Sequence, residues 1–191
     1  MVQDSEENNT INWSSEVRHL LFRYGFGEIW INQGTENETG FIQAFVQRLR
    51  DNYQQDFYAK LNNSSKALLY RNLATCFDTP YYIEIVKSTK YRHAITKLRT
   101  CNHRLTSETG RWNRPPIPYH ERKCVVCNKL DDEYHFVLEC TKYSALRFKY
   151  IKRYYYNHPS MEKFLELLSC RKQKVLYNLG IYLYKAFKME F

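Results

Sequence analysis

Cys124-Val125-Val126-Cys127, followed by His135 and Cys140, is the stretch on which the reading of this chain turns. Its spacing is C-x2-C-x7-H-x4-C. Four ligand-type side chains fall in a window too short to form a hydrophobic core of its own. Thiolate and imidazole fill a tetrahedral zinc shell without redox chemistry, and a Cys-x2-Cys pair can place both sulfurs on one ion. With His135 and Cys140 closing the shell, all four ligands are protein groups. The spacing therefore predicts a structural Zn2+ site with no open position for a catalytic water. The alternative is a set of buried thiols beside an unrelated histidine. A disulfide reading is weaker: the polar start Met-Val-Gln-Asp-Ser-Glu-Glu is no signal peptide, and a Cys-x2-Cys pair in an intracellular chain favours metal or redox chemistry.

Charge is placed unevenly around this motif. The chain carries +9 over 191 residues, but residues 86–114 hold eight Lys/Arg against one acid and residues 141–191 hold eleven against three. The remainder is net acidic, so basic blocks flank the motif on both sides. With 17 tyrosines and 11 phenylalanines interleaved, this predicts a phosphate-binding surface for RNA or DNA, electrostatic and sequence-nonspecific. Ordinary solvated helix faces are the competing reading. Hydrophobic residues make up 43%, enough for a core, and no apolar run is long enough for a membrane span. The expected location is intracellular, nuclear or cytoplasmic, and not secreted.

Outward from the motif the periodicity is helical. Asn12 caps a helix carrying Trp13, Val17, Leu20, Leu21 and Tyr24, which Gly25 and Gly27 stop. Phe41, Phe45, Leu49, Tyr53 and Phe57 stand at strict i, i+4 spacing, predicting one long amphipathic helix to about Asn62-Asn63. Ser64 is a candidate cap for a helix with Leu68, Leu69 and Leu73. Tyr91, Ile95 and Leu98 mark an apolar stripe whose other side is basic. Prolines make Thr109–Pro118 an extended connector. A helix is expected through Arg147–Tyr156, another after Ser160, and a last one on Val175, Leu176, Leu179, Leu183 and Phe187. No strand ladder is visible. The expected fold is all-α, a helical bundle with a small zinc knuckle between two helical parts. The expected division is a disordered terminus at 1–11, a helical domain at 12–105, a zinc-binding module at 106–158 and C-terminal helices at 159–191.

The candidate nucleic-acid contacts are Arg92, Lys97, Arg99, Arg104, Arg111, Trp112 and Arg114 before the motif, and Lys142, Arg147, Lys149, Lys152 and Arg153 after it. Trp112, between Arg111 and Arg114, is expected to pack under its loop, with stacking on a base or a guanidinium as the alternative. Asp131, Asp132 and Glu133 stand where acids favour a helix start. One geometric problem remains inside the motif. Residues five apart on an ideal helix point about 140° away from each other. His135 and Cys140 share a metal only if the turn between them is irregular or His135 sits at the helix entry. Cys101 and His103 are poorer substitutes, and Cys76, Cys101 and Cys170 read as ordinary thiols.

Leu98-Arg99, His103-Arg104-Leu105, Glu108-Thr109-Gly110-Arg111, Glu121-Arg122-Lys123-Cys124, Cys127, Asp132-Glu133-Tyr134-His135-Phe136, Cys140 and Tyr143 together resemble the zinc-binding segment of reverse transcriptases. More closely, they resemble the C-terminal region of the polyprotein of non-LTR (LINE-type) retrotransposons, most sharply over residues 91–150. The resemblance implies a piece or descendant of a retroelement protein. It implies a metal role for Cys124, Cys127, His135 and Cys140, and a role in binding template RNA or target DNA, with a reverse transcriptase core as a potential partner. The departures are large. The only Asp-Asp pair is Asp131-Asp132, and Lys129 stands where a polymerase motif has an aromatic. A zinc deaminase needs a glutamate two residues after its histidine, and position 137 is Val137. The expectation is a module without polymerase, endonuclease or other enzymatic chemistry of its own. A zinc-stapled protein-interaction module with no direct nucleic-acid role is the alternative.

Overall fold

The structure, a computed structural model, describes residues 12–189. The expectation of disorder for residues 1–11 lies outside the described residues. The chain is all-α: among the described residues there is no strand, and the sole bridge pairs Lys123 with Leu130. It divides into two compact units, Met1–Lys60 and Leu61–Phe191.

The first unit holds α1 (Trp13–Arg23), α2 (Gly27–Ile31) and all but the last turn of α3 (Glu38–Asn63). Asn12 caps α1 as expected, accepting from the Ser15 amide while the Ser15 hydroxyl closes a reciprocal box. Gly25, at φ 82°, ends the helix in a conformation that costs other residues strain. Tyr24, Phe26, Phe41 and Phe45 make an edge-to-face aromatic cluster. Burial is otherwise sparse: only Ser14 and Leu21 are fully buried among its described residues.

The second unit contains α4 (Leu68–Leu73), α5 (Tyr81–Ile85), α6 (Thr89–Arg99), α7 (Thr106–Thr109), α8 (Ser144–Tyr150), α9 (Arg153–Tyr156), α10 (Met161–Ser169) and α11 (Gln173–Lys188). Ala67 precedes α4, so Ser64 is not its cap. Instead, the Arg71 guanidinium gathers the carbonyls of Leu61, Asn62 and Ser64 at the end of α3. The Ser160 hydroxyl does cap α10, accepting from the Lys163 amide.

The core forms where α11 packs along α6. Ala94, Ile95 and Leu98 meet Leu176, Leu179, Tyr182, Leu183 and Ala186, all buried. Gly180 permits the close approach, since a Cβ there would stand 2.7 Å from Tyr91 Cβ. The same cluster takes in Leu69 and Leu73 of α4, Cys124, Phe136–Leu138 and Cys140. This cluster includes residues on both sides of the boundaries expected at 105/106 and 158/159. Two of the motif's cysteines, Cys124 and Cys140, belong to this core. The helix expected over Arg147–Tyr156 is also two: Ile151 and Lys152 are extended, which turns Ile151 and Tyr155 inward.

Candidate metal centre

Cys124 and Cys127 sit on a tight hairpin. The Cys124 amide donates to the Lys129 carbonyl at 2.8 Å, and the Asp131 amide to the Arg122 carbonyl at 2.9 Å. Asn128 turns the chain at φ 53°, a conformation asparagine tolerates better than most side chains. Val125 and Val126 project at the hairpin tip, the first of them 98% exposed.

The second half of the site starts at Asp132. Its carboxylate accepts from the His135 amide at 2.8 Å, so the acidic run does stand at a helix start. The chain does not continue as an α-helix. His135–Glu139 is a π turn, closed by the Cys140 amide donating to the His135 carbonyl at 2.7 Å. A turn widened by one residue stacks i+5 over i, where an α-helix would stack i+4. The five-residue gap is thereby resolved by the irregular turn.

The geometry collects all four side chains. The ligand atoms of Cys124, Cys127, His135 and Cys140 lie within 4.8 Å of one another. Sγ of Cys140 is 3.8 Å from Sγ of Cys124 and 3.8 Å from Sγ of Cys127. Two sulfurs at about 2.3 Å from one tetrahedral metal ion lie about 3.8 Å apart, so this spacing fits a shared ion. His135 is buried, and neither ring nitrogen has a hydrogen-bond partner, although Nδ1 stands 3.5 Å from a Glu139 carboxylate oxygen. A buried imidazole without partners is costly unless something else meets its lone pair. These residues can hold a metal ion.

The thiols are unequal. The Thr141 hydroxyl and amide lie 3.3 and 3.4 Å from Cys127 Sγ, and these hydrogen bonds lower its pKa. Burial pushes the Cys140 thiol up to about 12. Behind Cys140, the Arg147 guanidinium is buried and donates to the carbonyls of Val137 and Cys140 at 2.8 and 2.6 Å. The Tyr182 hydroxyl donates to the Phe136 carbonyl at 2.7 Å. Arg147 and Tyr182 thus fix the carbonyls of the π turn from α8 and α11.

A separate group gathers Cys101, His103 and Glu133. His103 Nε2 is 2.8 Å from Glu133 Oε1, and burial pushes the Cys101 thiol up to about 12. Glu133 ties the histidine to the segment that enters the π turn.

The expected basic contacts separate into two sets. Arg99 and Arg147 are corrected: both are buried, Arg99 donating to the Leu168 carbonyl at 2.9 Å and Arg147 to the two carbonyls just named. Arg147 lies behind the π turn, and Arg99 reaches only a cavity walled by the α4–α5 connection and the end of α10. Arg111 is half-buried and bonded to Ser65, with Glu108 at 3.3 Å, and Arg92 is half-buried near the carbonyls of Ile83 and Val86. Lys97, Arg104, Arg114, Lys142, Lys149, Lys152 and Arg153 are exposed. Trp112 is 65% exposed, which overturns its expected packing under the loop. Sequence reasoning passed over Thr141, Arg147 as a structural cation, and the exposed ring of Phe148. A hydroxyl residue directly after Cys140 was the available signal for Thr141. Compared with known proteins, the chain matches no family model, no curated protein and no solved structure.

Proposed function

We propose that this chain is a zinc-stapled nucleic-acid-binding module, derived from a retrotransposon reverse transcriptase and without enzymatic chemistry of its own. The spacing of Cys124, Cys127 and Cys140 around one point, with the orphaned His135 ring beside them, carries the metal half of this reading. Zinc is the ion that a three-sulfur, one-nitrogen tetrahedral set favours. Three thiolates and a neutral imidazole around a divalent ion leave a single negative charge. Arg147, a buried cation with no carboxylate partner among the described residues, supplies its complement. When bound, the metal stabilises the fold of residues 119–150.

The nucleic-acid half rests on the segment that follows the metal centre. Phe148 is 80% exposed, and Lys149, Lys152, Arg153 and Tyr154 follow it in sequence, all exposed. Exposed rings beside flexible cations suit a single strand, with bases stacked on rings and phosphates met by ammonium and guanidinium groups. The likeness of residues 91–150 to the retroelement segment points the same way. Fluorescence anisotropy against single-stranded RNA and duplex DNA at two salt concentrations tests it. Binding that weakens steeply with salt is expected, and no binding at low salt overturns it.

One observation favours the second reading, a protein-docking role. In the first unit α1 leaves Trp13 75% exposed together with Val17 and Leu20, and α3 leaves Ile42 and Val46 exposed. An apolar face of this kind fits docking on a polymerase core. A chain that binds zinc but no nucleic acid is the result that selects this reading.

A further inference from the structure

Three arginines of the second unit are buried: Arg99, Arg122 and Arg147. A guanidinium stays charged inside a protein, so each requires compensation. Arg122 and Arg147 each donate through Nε and a terminal nitrogen to two carbonyls. Arg99 differs. Its Nη1 reaches the Leu168 carbonyl, but its Nε is buried with no partner, and among the described residues no carboxylate pairs with it. The Tyr82 ring face, 5.0 Å from the guanidinium carbon, compensates only partly. Burial pulls the Arg99 pKa down.

Of the three, Arg99 alone lines a cavity of 330 Å³ between the α4–α5 connection and the C-terminal end of α10. Arg171 also lines it, and Tyr70, Thr75, Thr79 and Tyr81 bring hydroxyls. Asp78 is the single carboxylate of the lining, set against two guanidiniums. We propose that this cavity is a phosphate-binding pocket, taking a phosphomonoester whose oxygens Arg99 and Arg171 hold. The guanidinium fork matches phosphate oxygens, and several hydroxyl donors suit a tetrahedral oxyanion better than a planar carboxylate. The volume, at the small end of ligand sites, leaves room for more than the bare anion, with tyrosine rings for the attached group. The lining shares no residue with the exposed segment around Phe148, and the proposal does not depend on the nucleic-acid reading.

The test uses the full chain purified with zinc. Inorganic phosphate is titrated at constant ionic strength, with chloride as the balancing anion, and both Tm and the phosphorus NMR line width are read. A saturable response in both is expected. Arg99→Met should bind phosphate at least about tenfold more weakly, and the exposed Arg171→Ala about three- to tenfold more weakly. If Arg99→Met does not fold, Arg171→Ala with the phosphorus readout decides. A 5′-phosphorylated oligonucleotide against its 5′-hydroxyl twin separates the sources. Preference for the phosphorylated strand assigns the pocket to a nucleic-acid end, and no preference alongside a phosphate response assigns it to a free phosphomonoester. A phosphate response equal to that of chloride overturns the proposal, as do variants that bind like the wild type.

Discussion

The Cys140 amide donates to the His135 carbonyl at 2.7 Å, closing a turn of five residues where an α-helix closes four. This one bond sets the rotation between the third and fourth candidate ligands. It lets a sequence spacing that an α-helix would splay serve a single centre.

An alanine inserted between Glu139 and Cys140 therefore rotates Cys140 by a further helical step, about 100°. Zinc affinity in a chelator-competition titration should fall by more than about 100-fold, beyond what changes outside the coordination shell produce. Unchanged affinity would mean that the π turn does not set the site.

Cys127→Ser should lower zinc from one ion per chain to less than one. Hydrogen exchange should then accelerate over residues 119–150, while α6 and α11, joined by their own apolar contact, stay protected. A chelator added to the wild type should give the same pattern.

Much of this was readable in advance, and the reasons for success and failure are physical. Helical stripes such as Leu176, Leu179 and Leu183, and caps such as Asn12 and Ser160, are local signals, and the structure keeps them. The four site residues were legible because ligand chemistry restricts residue type as well as spacing. The π turn left only an indirect trace, the awkward five-residue gap, because its extra residue is tolerated through contacts made elsewhere by Arg147 and Tyr182. The buried arginines were not legible. An arginine on a basic helix face and one reaching a carbonyl 69 residues away, as Arg99 does, look alike in sequence. The break at Ile151-Lys152 was hidden for the same reason, since burial of Ile151 and Tyr155 overrides a continuous helical pattern.

Arg147→Met removes two hydrogen bonds to the carbonyls of Val137 and Cys140, together with the cation behind Cys140. Denaturant unfolding of the zinc-loaded chain should show a loss of about 2–4 kcal/mol. Arg147→Lys keeps the charge without the fork and should recover only part of it.

The His103–Glu133 pair gives a pH dependence of known sign. Burial pushes the Glu133 carboxyl up, but the hydrogen bond and charge of His103, with the Cys101 thiol, hold it below the usual glutamate value. Its stabilisation is full above the unfolded-state value of about 4.3 and is lost as pH falls through the lower folded value. Glu133→Gln should be less stable by about 1–2 kcal/mol at pH 7, with the difference from wild type shrinking below about pH 4. Equilibrium unfolding of both chains across that range checks this.

Phe148→Ala should leave the fold intact, since the ring is 80% exposed. Single-strand binding should weaken by about 1–3 kcal/mol for each base stacked on the ring, with duplex binding little changed. Replacing Lys149, Lys152 and Arg153 by glutamine should reduce the single-strand salt slope by about 2.

X-ray absorption at the zinc edge of the purified chain tests the central claim most directly. The account predicts one zinc per chain with three sulfurs at about 2.3 Å and one nitrogen at about 2.0–2.1 Å. A shell of oxygen and nitrogen alone, or a chain that takes up no zinc, would contradict it.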